Sequence, residues 1–487
     1  MLEAADDIGP TPADENCAPH AELASTTQKA AWGSGSVPDQ LMANGIGSLA
    51  MPIYNINLGV SPEMLGYALA IPRVFDALID PCIGNLSDNT RSRWGRRRPW
   101  IAAGGLLCAL FFTLLWIPPA TLGVRGLFWY FLIISFFYYL GYAIYSIPRT
   151  ALGYELSTDY HDRTRVMAWN SFFAYVAGLF IPWLYRLSFI GADGGAPAEA
   201  HGEMAGVRYV AIFTSLLILL FTLPTLLFCR ERSEAQAQPK IQLLSAFKMT
   251  MTNRPFLLMA MMSFFLSLGI AVVSPMNLYI NIYYVCGGDK KFGSELFGIV
   301  GTMSSIMGGL SILVIPWFAT RVGKKPVIAT GMVLAILGFL SSWLLFTPAH
   351  PYWQIIPSML LVPGLTCGYI LCGSILADIC DLDELESGRR REGMFGAAFA
   401  FQSKALGAGQ MILAGYVLVW AGYRQAAVLS PDVLYRLRIM FAAVPTICIL
   451  LAIIMVYLLP VTEKRVREAR TLLDARRRAA QAEAATL

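Results

Sequence analysis

Apolar runs of about 20 residues, the length needed to cross the hydrocarbon core of a bilayer, recur along the whole chain. They lie near 41–60, 65–88, 99–120, 126–156, 165–190 and 206–229, and again near 254–286, 293–319, 325–347, 352–382, 394–423 and 432–460. Short polar loops separate them, and several runs are long enough to imply tilt. The pattern predicts an all-α membrane protein with twelve transmembrane helices. Residues 1–38 are small, polar and acidic and read as a disordered tail. Residues 461–487 read as a basic, helix-prone tail drawn to water or to lipid headgroups.

Composition supports a membrane-embedded chain: 56% of residues are hydrophobic, 14% are charged, and mean hydropathy is +0.55. The nine cysteines form no CxxC pair, which predicts free thiols rather than a zinc site or disulfides. The four histidines fall in tails and loops, without metal-ligand spacing or a catalytic constellation, so an enzyme is not expected. Lys and Arg concentrate in alternate loops, at Arg91–Arg98, Arg163 and Arg165, Arg230–Lys240, Arg321–Lys325 and Arg389–Arg391. These loops share one side. By the positive-inside rule both termini are then cytoplasmic, in a plasma membrane such as the bacterial inner membrane. The arginine runs read as topology signals, not nucleic-acid contacts.

Arg93-Trp94-Gly95-Arg96-Arg97-Arg98-Pro99, after the second run, is echoed by Arg321-Val322-Gly323-Lys324-Lys325-Pro326 after the eighth. The acidic-to-basic loop at Asp159–Arg163 has a looser counterpart at Asp381–Arg391. Similar offsets predict two six-helix halves, 39–229 and 253–460, joined by a polar bridge at 230–252. Such halves are the plan of major facilitator carriers, with substrate bound between them near mid-membrane.

Asp76 and Asp80 stand one helical turn apart within an apolar run. Carboxylates at that depth cost about 2.5–3.5 kcal/mol each even on the most forgiving insertion scale, and they mark ion or substrate paths. Two acids so close repel, so the pair takes up a proton or a small hard cation. A structural alternative pairs Asp76 with Arg73 and makes Asp80 a helix cap before Pro81. In the fourth helix, Tyr142, Ser146 and Arg149 share a face, with Tyr145 beside them. They offer the hydroxyls, guanidinium and aromatic rings that bind sugars, or else packing aromatics and an Arg149–Glu155 ion pair. Lys404, deep in an apolar run, predicts a polar cavity or a contact between halves.

The stretch Phe75-Asp76-Ala77-Leu78-Ile79-Asp80-Pro81, with Gly84, Asp88, Arg93-Trp94-Gly95 and Pro99-Trp100, resembles the glycoside–pentoside–hexuronide:cation symporters. Tyr142, Ile147-Pro148, Glu155-Leu156, Asp159-Tyr160, Arg163-Thr164, Ala377-Asp378, Asp381 and Lys404 extend the resemblance over about 40–460. It implies a coupling-cation site at Asp76 and Asp80, with H+ or Na+ as the ion and no other cofactor. Ile79 and Ala143 stand where the family's sodium site carries asparagine and threonine, and the loss of two neutral oxygens favours the proton. Sugar-gripping family positions fall on Met51-Pro52, Ser146, Thr150, Ser171 and Tyr369, all different here, so the sugar differs too. The expected substrate site is Arg73, Tyr142, Tyr145, Ser146, Arg149, Ser171, Tyr369 and Lys404. Gating pairs are expected from Asp88 with Arg97 or Arg98, and from Asp381 with Arg389–Arg391, Arg390 among them.

The resulting expectation is a monomeric, cation-coupled symporter of a sugar or glycoside, working by alternating access. A facilitator-fold carrier of a lysolipid or other amphiphile, or a non-transporting membrane sensor, would share the fold.

Overall fold

The computed structural model describes residues 24–157, 160–190, 201–229, 231, 253–387, 391–423 and 429–486. Every predicted apolar run is helical. The first is α1 (Thr26–Ser34) and α2 (Ser36–Ala50), prolonged by a π-helical turn at Met51–Asn57. Then come α3 (Pro62–Asn89), α4 (Arg98–Leu115), α5 (Val124–Glu155), α6 (Tyr160–Phe180) with the short α7 (Leu184–Leu187), and α8 (His201–Phe228). The second half holds α9 (Arg254–Tyr279), α10 (Lys290–Val322), α11 (Lys324–Leu345), α12 (Ile355–Ser387), α13 (Glu392–Trp420) and α14 (Pro431–Leu458), followed by α15 (Glu463–Thr486). The expected bridge at 230–252 lies outside the described residues except for Glu231, as does the tail before residue 24.

Among the described residues, nine helices are long and apolar enough to cross a membrane by length and composition. The predicted spans that fall short are α1–α2, α3 and α13. They are the ones whose polar side chains line the central cavity: Asn44 and Ser48, Arg73 and Asp76, Ser403 and Lys404. Prolines inside α3, α5 and α14 do not end those helices. Neighbouring helices re-satisfy the freed carbonyls in such bundles, so α3 runs through Pro81 and Asp80 is not a cap, contrary to that alternative.

Two boundaries differ from expectation. Residues 24–38, expected as part of a disordered tail, belong to the first half. A capping box of Ser25 and Gln28 starts α1, Lys29 and Trp32 are buried, Lys29 pairs with Asp162 on α6, and the Ala24 amide donates to Asp162 at 3.0 Å. An ion pair and small residues bury this segment, which a search for apolar runs passes over. The basic tail is likewise docked: Val466, Ala469 and Leu473 of α15 are buried, and Arg470 reaches Asp378 at 3.1 Å and Asp381 at 2.8 Å on α12.

The two halves meet chiefly through α3 on α13 and α6 on α10. These contacts gather at the end away from the basic loops. The Tyr67 and Tyr416 hydroxyls lie 2.9 Å apart, Tyr279 donates to Asn55, Lys290 donates to Asn57 at 2.8 Å, and Trp183 Nε1 donates to Thr302 at 2.8 Å. A cavity therefore sits between the halves, closed by this seam at its far end.

Candidate functional site

The cavity has a volume of about 680 Å³ and is walled by α2, α3, α9, α10, α13 and the Ile181–Pro182 turn. Of the expected substrate residues, Arg73 and Lys404 line it, together with the cation-site residue Asp76. Ala43, Asn44, Gly47 and Ser48 of α2 and Ser403, Gly407, Gln410 and Ala414 of α13 line it as well, and the sequence reading missed them. Their signal was present. Each set recurs at three- and four-residue steps, the small-or-polar stripe of a helix face turned to water rather than to lipid.

Lys404, on α13 of the second half, crosses to the first half and inserts between the two α3 acids. Its ammonium pairs with Asp80 and lies 3.3 Å from Asp76 Oδ2. Asp76 is 3% exposed, so its neutralisation depends on protein or bound-cation partners. The remaining oxygens, Asp76 Oδ1 and Asp80 Oδ1, are buried without a hydrogen-bond donor. Fully ionised, the three groups carry a formal charge of −1, since two carboxylates face one ammonium. Arg73 does not take the role that the structural alternative gave it. Its Nη2 donates to the Ala43 carbonyl at 2.6 Å and its guanidinium lies 4.7 Å over the Tyr139 ring. The acids are thus held by an inter-half lysine, with room for one more positive charge.

The expected α5 substrate face is a correction. Tyr145 is fully buried and its hydroxyl donates to the Gly35 carbonyl at 2.9 Å. Arg149, 3% exposed, lies 5.3 Å over the Trp32 ring. It donates to the Asn170 side chain at 3.2 Å and pairs with Asp39 at 3.4 Å. Glu155, its expected partner, instead receives Arg96 at 2.7 Å and Arg97 at 2.8 Å. The early start of the first helix explains the misplacement: Trp32, taken as tail, lies against Arg149, and Asp39, just past the expected end of that tail, pairs with it. Tyr142 and Ser146 are half-buried and Ser171 and Tyr369 exposed, and none of the four is among the cavity-lining residues. Met51 and Pro52 line the cavity's far end.

Removing Arg149 takes away its hydrogen bond to Asn170 and its ion pair with the half-buried Asp39, a loss of about 1.5–3 kcal/mol for a charged donor. We expect Arg149→Ala to lower thermal stability in a detergent melt while substrate affinity of the folded fraction is unchanged. An unaltered melting temperature with weakened substrate binding would return Arg149 to the cavity wall.

Among the described gating residues, Asp88 and Arg97 form an expected ion pair and Asp381 pairs with the terminal helix. Arg97 meets Asp88 at 3.0 Å. Glu231 accepts from the Arg96, Arg97 and Arg98 amides at 2.5, 2.8 and 2.9 Å, so a carboxylate from the start of the bridge caps α4. Gly95 permits this approach, with φ at 101° and a Cβ position that would fall 2.7 Å from the Glu231 carboxylate. Arg98 itself donates to the Leu226 carbonyl. In the second half Asp383 receives Arg391 through a two-pronged contact at 2.9 and 3.0 Å, and Asp381 receives Arg470 at 2.8 Å. Arg390 lies outside the described residues. These pairs brace each basic loop against its own half.

Comparison with known proteins agrees with this architecture. A symporter of Synechocystis is 24% identical over 94% of this chain and 98% of its own length. The isoprimeverose transporter of Lactiplantibacillus pentosus is also 24% identical, over 82% of both chains. The crystal structure of a D-xylose-proton symporter superposes with a TM-score of 0.58 at 16% identity, covering 87% of this chain and 96% of that one, which shows the shared major facilitator fold. The family model described as MFS/sugar transport protein matches residues 31–463, and with the two-half helical bundle and its central cavity this shows that the chain belongs to that family of membrane symporters.

Proposed function

We propose that this symporter moves a sugar or glycoside inward, one proton per cycle, by alternating access. The observation that carries the reading is the Lys404–Asp76–Asp80 cluster, with its formal charge of −1 and its two buried, donorless carboxylate oxygens. An uncompensated buried charge opposes closure of low-dielectric walls around it. One added cation removes it. That cation also competes with Lys404 for the acids, and since Lys404 belongs to the other half, its release loosens the link between halves.

The chemistry of the surroundings supports a proton. Sodium requires several oxygen ligands, whereas Ile79 and Ala143 supply no side-chain oxygen, and Lys404 already occupies acceptor positions on both acids. A proton needs only one carboxylate oxygen. With the basic loops cytoplasmic, the closed seam faces outward and the cavity opens to the cytoplasm, as in the substrate-releasing state of an importer. The sugar reading draws on relatives that include an isoprimeverose transporter. The cavity is complete within one chain, which fits a monomer.

Adding substrate to de-energised cells in weak buffer should make the medium more alkaline, at the same rate with or without sodium. Uptake that requires sodium at constant pH, without proton movement, would overturn the assignment.

A further inference from the structure

The cavity is divided along its length. Its polar side chains lie toward the basic-loop end, among small residues such as Ala43 and Gly47: Asn44, Ser48, Arg73, Asp76, Ser403 and Lys404. At the closed end the walls are apolar: Ile181, Pro182, Leu278, Phe297, Met411 and Ala414. Gln410 lies at the border, and its amide donates to the Ser267 carbonyl at 2.9 Å. On α13 alone the passage from Lys404 to Ala414 spans ten residues, about 15 Å of helix. The whole volume, about 680 Å³, falls among pockets that take drug-sized molecules rather than one small hydrophilic ring. A ring wholly covered with hydroxyls would strand its hydroxyls against the closed-end floor, at the cost of any buried polar group left without a partner.

The polar compartment limits the head. Its cations are both engaged, Arg73 with the Ala43 carbonyl and the Tyr139 ring, Lys404 with two acids. A phosphate or uronate head would have to break these contacts, whereas a neutral polyol can use the Asn44, Ser48 and Ser403 groups.

Resting on the sugar-symport reading, we propose that the substrate is a neutral glycoside with an apolar aglycone, its sugar held in the polar compartment and the aglycone seated on the far-end floor of Leu278, Phe297 and Met411. Burying a methylene contributes about 0.8 kcal/mol, close to fourfold in affinity.

The test uses the full chain in nanodiscs and measures binding of methyl, propyl, butyl and hexyl glucosides and galactosides, with lysophosphatidylcholine as a charged-head comparison. The expected result is a rise of about threefold to fourfold per methylene on at least one of the two sugar heads. Met411→Gln, nearly equal in volume but polar, should flatten that slope and keep methyl-glycoside binding. Partition of the alkyl chains into the bilayer would be the same for both proteins, so a slope that persists in Met411→Gln overturns the floor assignment. Affinity independent of chain length overturns it too, while leaving sugar symport standing. Saturable binding of lysophosphatidylcholine with no glycoside binding at any length would overturn the sugar reading itself.

Discussion

Asp76→Asn and Asp80→Asn should each abolish gradient-driven accumulation and leave downhill exchange of substrate. Either change converts a cluster of charge −1 into a neutral pair of Lys404 with the surviving acid. A neutral cluster no longer has to collect a cation before the halves can rock, so the carrier becomes a passive one. A membrane potential is worth about 2.3 kcal/mol per charge per 100 mV, roughly 50-fold in concentration. The accumulation ratio in vesicles at that potential should therefore fall from about this value to unity. The double variant differs in kind: it leaves Lys404 with neither acid, and exchange should be lost as well. The measurement is labelled-substrate uptake and counterflow at matched protein levels. Single variants that still concentrate substrate like the parent would remove both acids from the coupling step.

The helices and the two acids were legible because the bilayer imposes a simple rule on sequence, a long apolar run interrupted only where a polar group has work to do. Lys404 was legible for the same reason. Its partners were not, because no local pattern tells that a lysine 328 residues beyond Asp76 comes from the opposing half to sit on it. The fourth-helix face failed differently. Shared spacing on a helix says which residues lie together, not which neighbour covers them, and the covering element was α1, hidden in a stretch too polar to register as a span. Trp32 and Lys29 are buried and Asp39 is half-buried through specific polar contacts, which depend on three-dimensional fit rather than hydrophobic period. The stripes at Asn44–Ser48 and Ser403–Ala414 were readable by period but were masked by the apolar residues around them.

Substitution at the far-end seam should bias the carrier open toward that side. There the halves approach so closely that the backbone leaves no room for a side chain: a Cβ at Gly415 would lie 2.4 Å from the Pro62 carbonyl, and one at Gly66 would lie 2.7 Å from that of Met411. On the other side of the seam, a Cβ at Gly298 would meet the Trp183 ring at 2.8 Å. Backbone cannot yield as a flexible side chain can. Overpacking costs about 1–3 kcal/mol, and when the far-end-open state escapes that cost the equilibrium between the states shifts by roughly 5- to 150-fold. Gly415→Val should approach the upper figure, because carbonyl oxygen is what it strikes, whereas Gly409→Val, whose Cβ meets nothing within 4 Å and which lies outside the cavity wall, serves as the control for added bulk on α13. Spin labels across the α3–α13 seam should report longer distances in Gly415→Val, and turnover should drop by a similar factor while the melting transition remains cooperative. A seam that stays at its parental distance, in a folded and fully active Gly415→Val, would show that closure at this end does not depend on glycine contact.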